Sequence, residues 1–311
     1  MRRKRTCLIQ FILVLGLIAT VLLSLNSGYS QTGLADLWGA ITGTVEKTST
    51  LILLKMRLPR IVLAVLCGMG LALSGCTLQT VTDNSLADPG IIGINAGAGF
   101  SVMIFMWMSP SLHIDTKFYR PLFAMMGGLL TAFFLYNFAK RDGRIRPAHF
   151  LLGGIGASAG FTAMMTILGT NINSSIYQMV QRWLVGNIWG TDWYQIKMLL
   201  PCLLVLVPLL FWRVNALDLL LLGEDSASAL GVRVGQERRV LLFLSAALAA
   251  SCVAVSGGIG FIGLVAPHIA RRITGLRHRN LLLTSMLTGG ILLVLADTAV
   301  SYTHLTLPTN R

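Results

Sequence analysis

Three short stretches of this 311-residue chain hold residue types that could do chemistry. Gly258, Gly260 and Gly263 in "SGGIGFIGLVAPHIARR" have the G-x-G-x-x-G spacing with which a turn cradles a dinucleotide pyrophosphate. Gly156-Ala157-Ser158-Ala159-Gly160 has the G-x-S-x-G pattern that presents a nucleophilic serine. "VSGG" at 255–258 echoes the signature of an ATP-binding cassette. A dinucleotide turn, however, must follow a strand, open a helix and be answered about 20 residues later by an acid on the ribose. The preceding residues read as a membrane helix, and no Asp or Glu lies between 276 and 296. The serine needs a base; His268 could serve, but its neighbours place it near the cytoplasmic edge. No G-x-x-x-x-G-K-[ST] exists anywhere in the chain, so nucleotide energy must come from another subunit. Packing, or room beside a pathway, is the better use for Gly153, Gly154, Gly156 and Gly160, which together make a small-residue face.

The elements that must position these residues are membrane helices. The chain is 54% hydrophobic and 12% charged, with mean hydropathy +0.72, and apolar runs of the roughly 20 residues needed to cross a bilayer recur along it. The expected spans are 7–25, 61–80, 91–108, 121–138, 149–168, 194–212, 240–256 and 281–300. The first is read as uncleaved, because its apolar core is long for a signal peptide and no small-x-small site follows. Val240 to Ala270 would make one helix of about 45 Å, too long for a core of about 30 Å. It must break at Gly257 and Gly258, sending a short segment, Ile259 to His268, back through part of the membrane. With that crossing counted and the N-terminus in the cytoplasm, sixteen Lys and Arg fall inside and eight outside. Net charge +13 therefore reports orientation, and a nucleic-acid partner is not expected. Cys7, Cys67, Cys76, Cys202 and Cys252 lack any C-x-x-C pairing and read as small buried hydrophobes, and no metal site is expected. Trp183, Trp189 and Trp193, among polar residues at 171–193, read as an interfacial anchor.

Five motifs in order then resemble one family. Arg57-Leu58-Pro59-Arg60 before a span, "SGCTLQ" at its end, "NSLADPGIIGINAGAG" at 84–99, "LLGEDSASALGV" at 221–232 and "GGIGFIGLVAPHIARR" at 257–272 are similar to the FecCD-type permeases of ABC importers for iron(III) siderophores, haem and vitamin B12. The resemblance covers about residues 50–299. It implies an all-α polytopic bundle of ten helices per subunit, of which about nine are present here as a single domain over 1–300. It also implies a second copy of the chain, two cytoplasmic ATPase subunits that hold ATP and Mg, and a substrate-binding protein on the outer face. No cofactor is expected on this chain itself. The bacterial cytoplasmic (inner) membrane is the expected location.

The resemblance also assigns roles. Arg57 and Arg60 would receive glutamates of the binding protein, with a guanidinium fork setting the geometry. Gly223 and Gly231 would bound a coupling helix that fits the ATPase, with Glu224, Ala227 and Leu230 on its contacting face. Gly154, Gly156, Ser158 and Gly160 would line the pathway, and Gly257, Gly258, Gly260, Gly263 and Pro267 would shape the re-entrant turn. Departures are Asp83 and Ser85 where the family has an arginine and a proline, and Ser301 where a further outer arginine is expected. The segment 301–311 is polar, too short to span, and expected to lie outside the family pattern. The reading is alternating-access import, iron-siderophore complexes first and cobalamin or haem next. A secondary transporter would need ionisable residues inside the spans, where only Asp297 is found, at an outer edge. An intramembrane serine protease would be labelled at Ser158 by a fluorophosphonate probe; a permease is expected to give no labelled band in the same gel assay.

Overall fold

The computed structural model describes residues 2–26, 51, 53–112, 116–141, 144–145 and 147–306. Twelve α-helices follow in order: α1 (Arg2–Asn26), α2 (Leu58–Val81), α3 (Ile94–Leu112), α4 (Thr116–Ala139), α5 (Pro147–Gly169), α6 (Ser174–Leu184), α7 (Trp193–Trp212), α8 (Val214–Leu220), α9 (Glu224–Ala229), α10 (Val234–Ser256), α11 (Ile262–Thr274) and α12 (His278–Thr306). A π-helical turn, Leu53–Arg57, leads into α2, whose Pro59 sits in the first turn where a missing N–H costs nothing. Between α4 and α5 lies a two-residue antiparallel pairing, β1 (Lys140–Arg141) with β2 (Arg144–Ile145). Each expected span falls on one long helix. Among the described residues, seven helical segments are long and apolar enough to cross a bilayer, and α3 supplies a shorter apolar stretch, Ile94–Ser109.

Several boundaries lie outside the expected spans, the start of α10 and the end of α12 by the most. α10 begins at Val234 because Arg238 and Arg239 find partners in Glu224 and the Tyr136 hydroxyl, so these cations ride on the helix and not in a loop. α12 runs to Thr306, past the expected end at 300. Ser301 belongs to it, its hydroxyl donating to Asp297 O at 2.9 Å, and the next helix breaker in the sequence is Pro308. Residues 307–311 of the expected tail lie outside the described residues.

The bundle is built around α2. Its span is 78% buried within the chain, against 11% for the α1 and α5 spans, which therefore face outward. Lipid tails are as apolar as leucine, so helices in a membrane associate through close packing and hydrogen bonds, and small residues permit both. α2 offers a glycine to each of three neighbours. A Cβ on Gly68 would stand 2.4 Å from Gly289 O on α12, one on Gly70 2.5 Å from Cys252 Sγ on α10, and one on Gly75 1.9 Å from Gly263 O on α11. The α2–α10 crossing is sealed by a reciprocal serine pair: Ser74 Oγ donates to Ser245 O at 2.7 Å, and Ser245 Oγ to Ser74 O at 2.9 Å. Cys67, Cys76 and Cys252 are buried in this core, as expected of small hydrophobes, whereas Cys202 is half-buried and Cys7 exposed.

Gly75→Ala should lower stability by about 1–3 kcal/mol, because backbone must shift to admit the methyl. Gly156→Ala, whose Cβ would meet nothing within 4 Å, should change it by less than about 0.5 kcal/mol. Thermal unfolding in one detergent compares them; equal losses would contradict the packing described.

Candidate functional site

At the end of α10 the chain reverses over residues 257–261. Gly257 has φ +72°, and a Cβ there would lie 2.1 Å from Trp183 O; one on Gly258 would lie 2.4 Å from Leu184 O. Only glycine fits at 257, for its dihedral and for its space. Phe261, with φ +67°, completes the turn. Gly260 meets no neighbour, so tight packing does not account for it. The returning segment is α11, Ile262–Thr274, and not Ile259–His268. Pro267 lies inside this helix and does not end it. A proline at 267 has no N–H for Gly263 O; Gln79 Nε2 of α2 donates there instead at 3.2 Å and reaches Leu264 O at 3.4 Å. The carbonyl freed by the proline is thereby satisfied from outside.

The start of α11 is capped by Asp88, which lies in the segment 82–93 that follows α2. Asp88 Oδ1 accepts from Gly90 N at 2.7 Å, and the carboxylate faces the first turn of α11, where a Cβ on Gly263 would stand 2.9 Å from Oδ2. Burial pushes the Asp88 carboxyl above the usual carboxylate range, while the amides of Gly90, Ile91 and Leu264 oppose the rise by favouring the charged form. A carboxylate here also complements the positive end of the helix. Three of the sequence motifs thus meet at one place: "SGCTLQ" through Gly75 and Gln79, "NSLADPG" through Asp88, and "GGIGFIGLVAPH" through Gly263 and Pro267.

The same 82–93 segment reaches α5. A Cβ on Gly154 would stand 2.7 Å from Ile92 Cα, and one on Gly93 3.2 Å from Ser158 Oγ. The four small residues of α5 therefore divide. Gly154 is a packing site against the segment, whereas Gly156 and Gly160 look onto open space with the exposed Ile155 and Ala159. The Ser158 hydroxyl donates back to Gly154 O at 2.9 Å and makes no hydrogen bond with His268, which lies exposed on α11.

At the N-terminal end of α2, Arg57 Nη1 donates to Leu25 O at 2.8 Å. Arg60 is held more fully. Its Nε and Nη2 reach Asp297 Oδ1 at 3.0 and 2.5 Å, Nη2 also reaches Ser301 Oγ at 2.9 Å, and the guanidinium lies 4.6 Å from the Trp189 ring centroid. With 18% of its side chain exposed, Arg60 is a preset cation at the rim. Asp297, noted in the sequence as the one acid within a span, is this arginine's counter-ion. Trp189 and Trp193 are exposed as an anchor would be, but Trp183 is 6% exposed and belongs to the core. Nearby, Asp192 caps α7 through Tyr194 N at 3.0 Å. Partial burial would raise its carboxyl; the hydrogen bond and charge of Lys117, with the amides of Tyr194 and Gln195, outweigh this and hold it below the usual range.

At the other end, α9 is a six-residue helix set between Gly223 (φ +91°) and Gly231 (φ +84°), dihedrals that exclude a larger residue without strain. Ala227 is 0% exposed and anchors α9 to the bundle, so it is not part of a contacting face. The helix must bury one residue per turn to stay docked, and Ala227 is that residue. Glu224 is turned toward Arg238 of α10 in an ion pair. The outward surface is made instead by Asp225, Ser228 and Leu230, the last 61% exposed. Beside it opens a cleft of ≈ 560 Å³ lined by Asp225, Ser228, Arg233 and Arg239 among others. Among the described residues no group of His, Cys, Asp and Glu could hold a metal ion.

Asp88→Ala should cost about 1 kcal/mol through loss of the α11 cap, and Asp88→Asn, which keeps a carbonyl oxygen, less than about half of that. Thermal unfolding in detergent distinguishes them, and an equal loss in both would remove the cap from the account.

Comparison with known proteins agrees with this geometry. The model of the FecCD transport family matches residues 16–308. The iron(3+)-hydroxamate import system permease of Bacillus subtilis is 36% identical over 96% of this chain and 89% of its own length. The iron(3+) dicitrate transport permease of Escherichia coli is 37% identical over 81% and 77%, and the cobalamin import permease of Halobacterium salinarum 35% identical over 83% and 69%. A solved inward-facing conformation of a metal-chelate type ABC transporter superposes with TM-score 0.83 at 28% identity, over 95% of this chain and 91% of that one. The chain belongs to the FecCD transport family and is a multi-pass membrane permease of the ABC-importer type.

Proposed function

We propose that two copies of this chain, with two ABC ATPase subunits at the α9 end and a substrate-binding protein at the Arg60 end, import iron(III)-siderophore complexes across the bacterial cytoplasmic membrane by alternating access. The observation that carries the reading is the presented α9: a short polar helix set off by two positive-φ glycines, anchored by Ala227 and turned outward through Leu230. Such an element offers a partner a small projecting surface while its own base stays fixed. Iron is favoured as cargo because relatives named for iron chelates align over most of this chain; cobalamin is the second reading, supported by relatives of similar identity.

Each end has a physical part. Arg60, preset by Asp297 and Trp189, keeps its Nη1 donors for a carboxylate of the binding protein, with Arg57 one turn earlier. Gly156 and Gly160 leave two positions on the outward face of α5 without side chains, room that a route beside a second copy could use. The chain does no covalent chemistry in this scheme, and ATP and Mg are held by the partner subunits. A cytoplasmic position for the N-terminus and α9 is supported by the excess of Lys and Arg on that side.

Leu230→Asp should abolish co-purification of the ATPase subunits and leave the permease monodisperse and thermally unchanged, since the side chain makes no core contact. Retention of the ATPase by this variant would contradict the assignment. For cargo, a permease-deleted strain complemented with the gene should grow on ferric siderophores as its iron source; growth rescue on cobalamin alone would replace iron with the second reading.

A further inference from the structure

His278 is 0% exposed and stands where three elements meet. Its ring Nδ1 lies 2.8 Å from Asp218 Oδ1 on α8, its backbone N donates to the same oxygen at 2.8 Å, and its Nε2 lies 2.7 Å from Thr80 Oγ1 on α2. Nδ1–H donates to the carboxylate, and Nε2 shares a hydrogen bond with the threonine hydroxyl, whose oxygen also lies 3.1 Å from Cys76 O of its own helix. Asp218 also caps the first turn of α12, complementing its positive end. The last helix, the central helix and α8 are thus joined through a single imidazole.

The position of this junction matters because of what lies on each side. α8 leads through Leu221 and Leu222 directly into Gly223 and α9. Thr80 is next to the last residue of α2, where the chain passes into the 82–93 segment that caps α11 through Asp88 and packs on Gly154 of α5. Displacement of α9 reaches those elements across α8 to α2 or through α10, on which α9 also packs. Among the described residues the polar links toward α10 are Glu224–Arg238 and Arg213–Glu237, ion pairs between long side chains on its first turns, which keep more rotamer freedom than an enclosed imidazole. A cleft of ≈ 300 Å³, lined by Asn84, Leu221, Arg271 and His278 among others, separates α8 from the segment beside the junction. Apolar side chains there can slide; the fully buried His278 ring holds directional hydrogen bonds on both sides, to the buried Thr80 and to Asp218, whose side chain is 31% exposed.

We propose that Asp218–His278–Thr80 is the tether that delivers movement of α9 to α2, with His278 its positioning residue. This rests on reading α9 as the ATPase-contacting helix. Cutting the tether separates ATP hydrolysis from transport without disturbing assembly.

The test uses the whole complex, permease with its ATPase subunits, reconstituted in proteoliposomes with binding protein and ferric siderophore. Thr80→Val keeps the shape of the side chain and removes the hydroxyl; His278→Asn keeps an N–H near Nδ1 for Asp218 and cannot reach Thr80. Both should retain the ATPase subunits and hydrolyse ATP within about twofold of the native rate, while cargo taken up per ATP falls at least about fivefold, the low end of typical coupling between sites. The double variant should be no worse than the worse single, because both cut one link. An unchanged uptake-to-hydrolysis ratio in Thr80→Val, or uptake and hydrolysis falling in proportion, overturns the tether; Thr80→Val decides alone if His278→Asn does not assemble. Failure of the native chain to retain ATPase subunits would instead overturn the reading of α9, and the tether's role with it.

Discussion

The contact on which the structure depends is backbone against backbone, where Gly75 of α2 meets Gly263 of α11. Inside a bilayer no hydrophobic gain draws one helix to another, so approach at this distance must come from dispersion and from polar groups satisfied across the gap. Both are present. Gln79 fills the acceptor that Pro267 leaves open, and Ser74 with Ser245 closes the neighbouring crossing. Once α11 is seated there, Asp88 has its helix end to cap, and the 82–93 segment is fixed in reach of α5. Substituting any side chain at 75 or 263 would separate surfaces that every later contact assumes to be touching.

Much of this was legible in the sequence because it depends on length and local geometry. Spans are visible as apolar runs near the bilayer thickness, and the break at Gly257 follows from a run too long to be one helix. What could not be read depends on partners far along the chain. Pro267 looks like a helix end until Gln79, 184 residues away from Gly263, supplies the missing donor. Arg60 looks like an open docking cation until Asp297, 237 residues away, is found beside it. The resemblance puts Ala227 on a contacting face with Glu224 and Leu230, yet a six-residue helix has few positions with which to hold on, and it is the smallest of the three that turns inward. Gly154, Gly156 and Gly160 share one helix and one residue type, but only the first meets a neighbour.

His278 shows the limit of motif reading most directly. It sits between Arg277 and Arg279, in a sequence context that looks like a solvated basic loop. Nothing local marks it as fully buried. Its role is set by Asp218 and Thr80, each on a different helix. Of the residues that looked chemical, Gly258 and Gly263 are occupied in close backbone packing, and the Ser158 hydroxyl is returned to its own helix.

In the proposed function this chain supplies a path and a set of levers, and the energy comes from subunits bound to it. Proteoliposomes containing the permease, loaded with binding protein and ferric siderophore, test this directly when assembled with and without the ATPase subunits. Uptake that requires both the ATPase subunits and ATP is the predicted result. Cargo accumulation by the permease alone, or ATP hydrolysis by the permease purified to homogeneity, would contradict it.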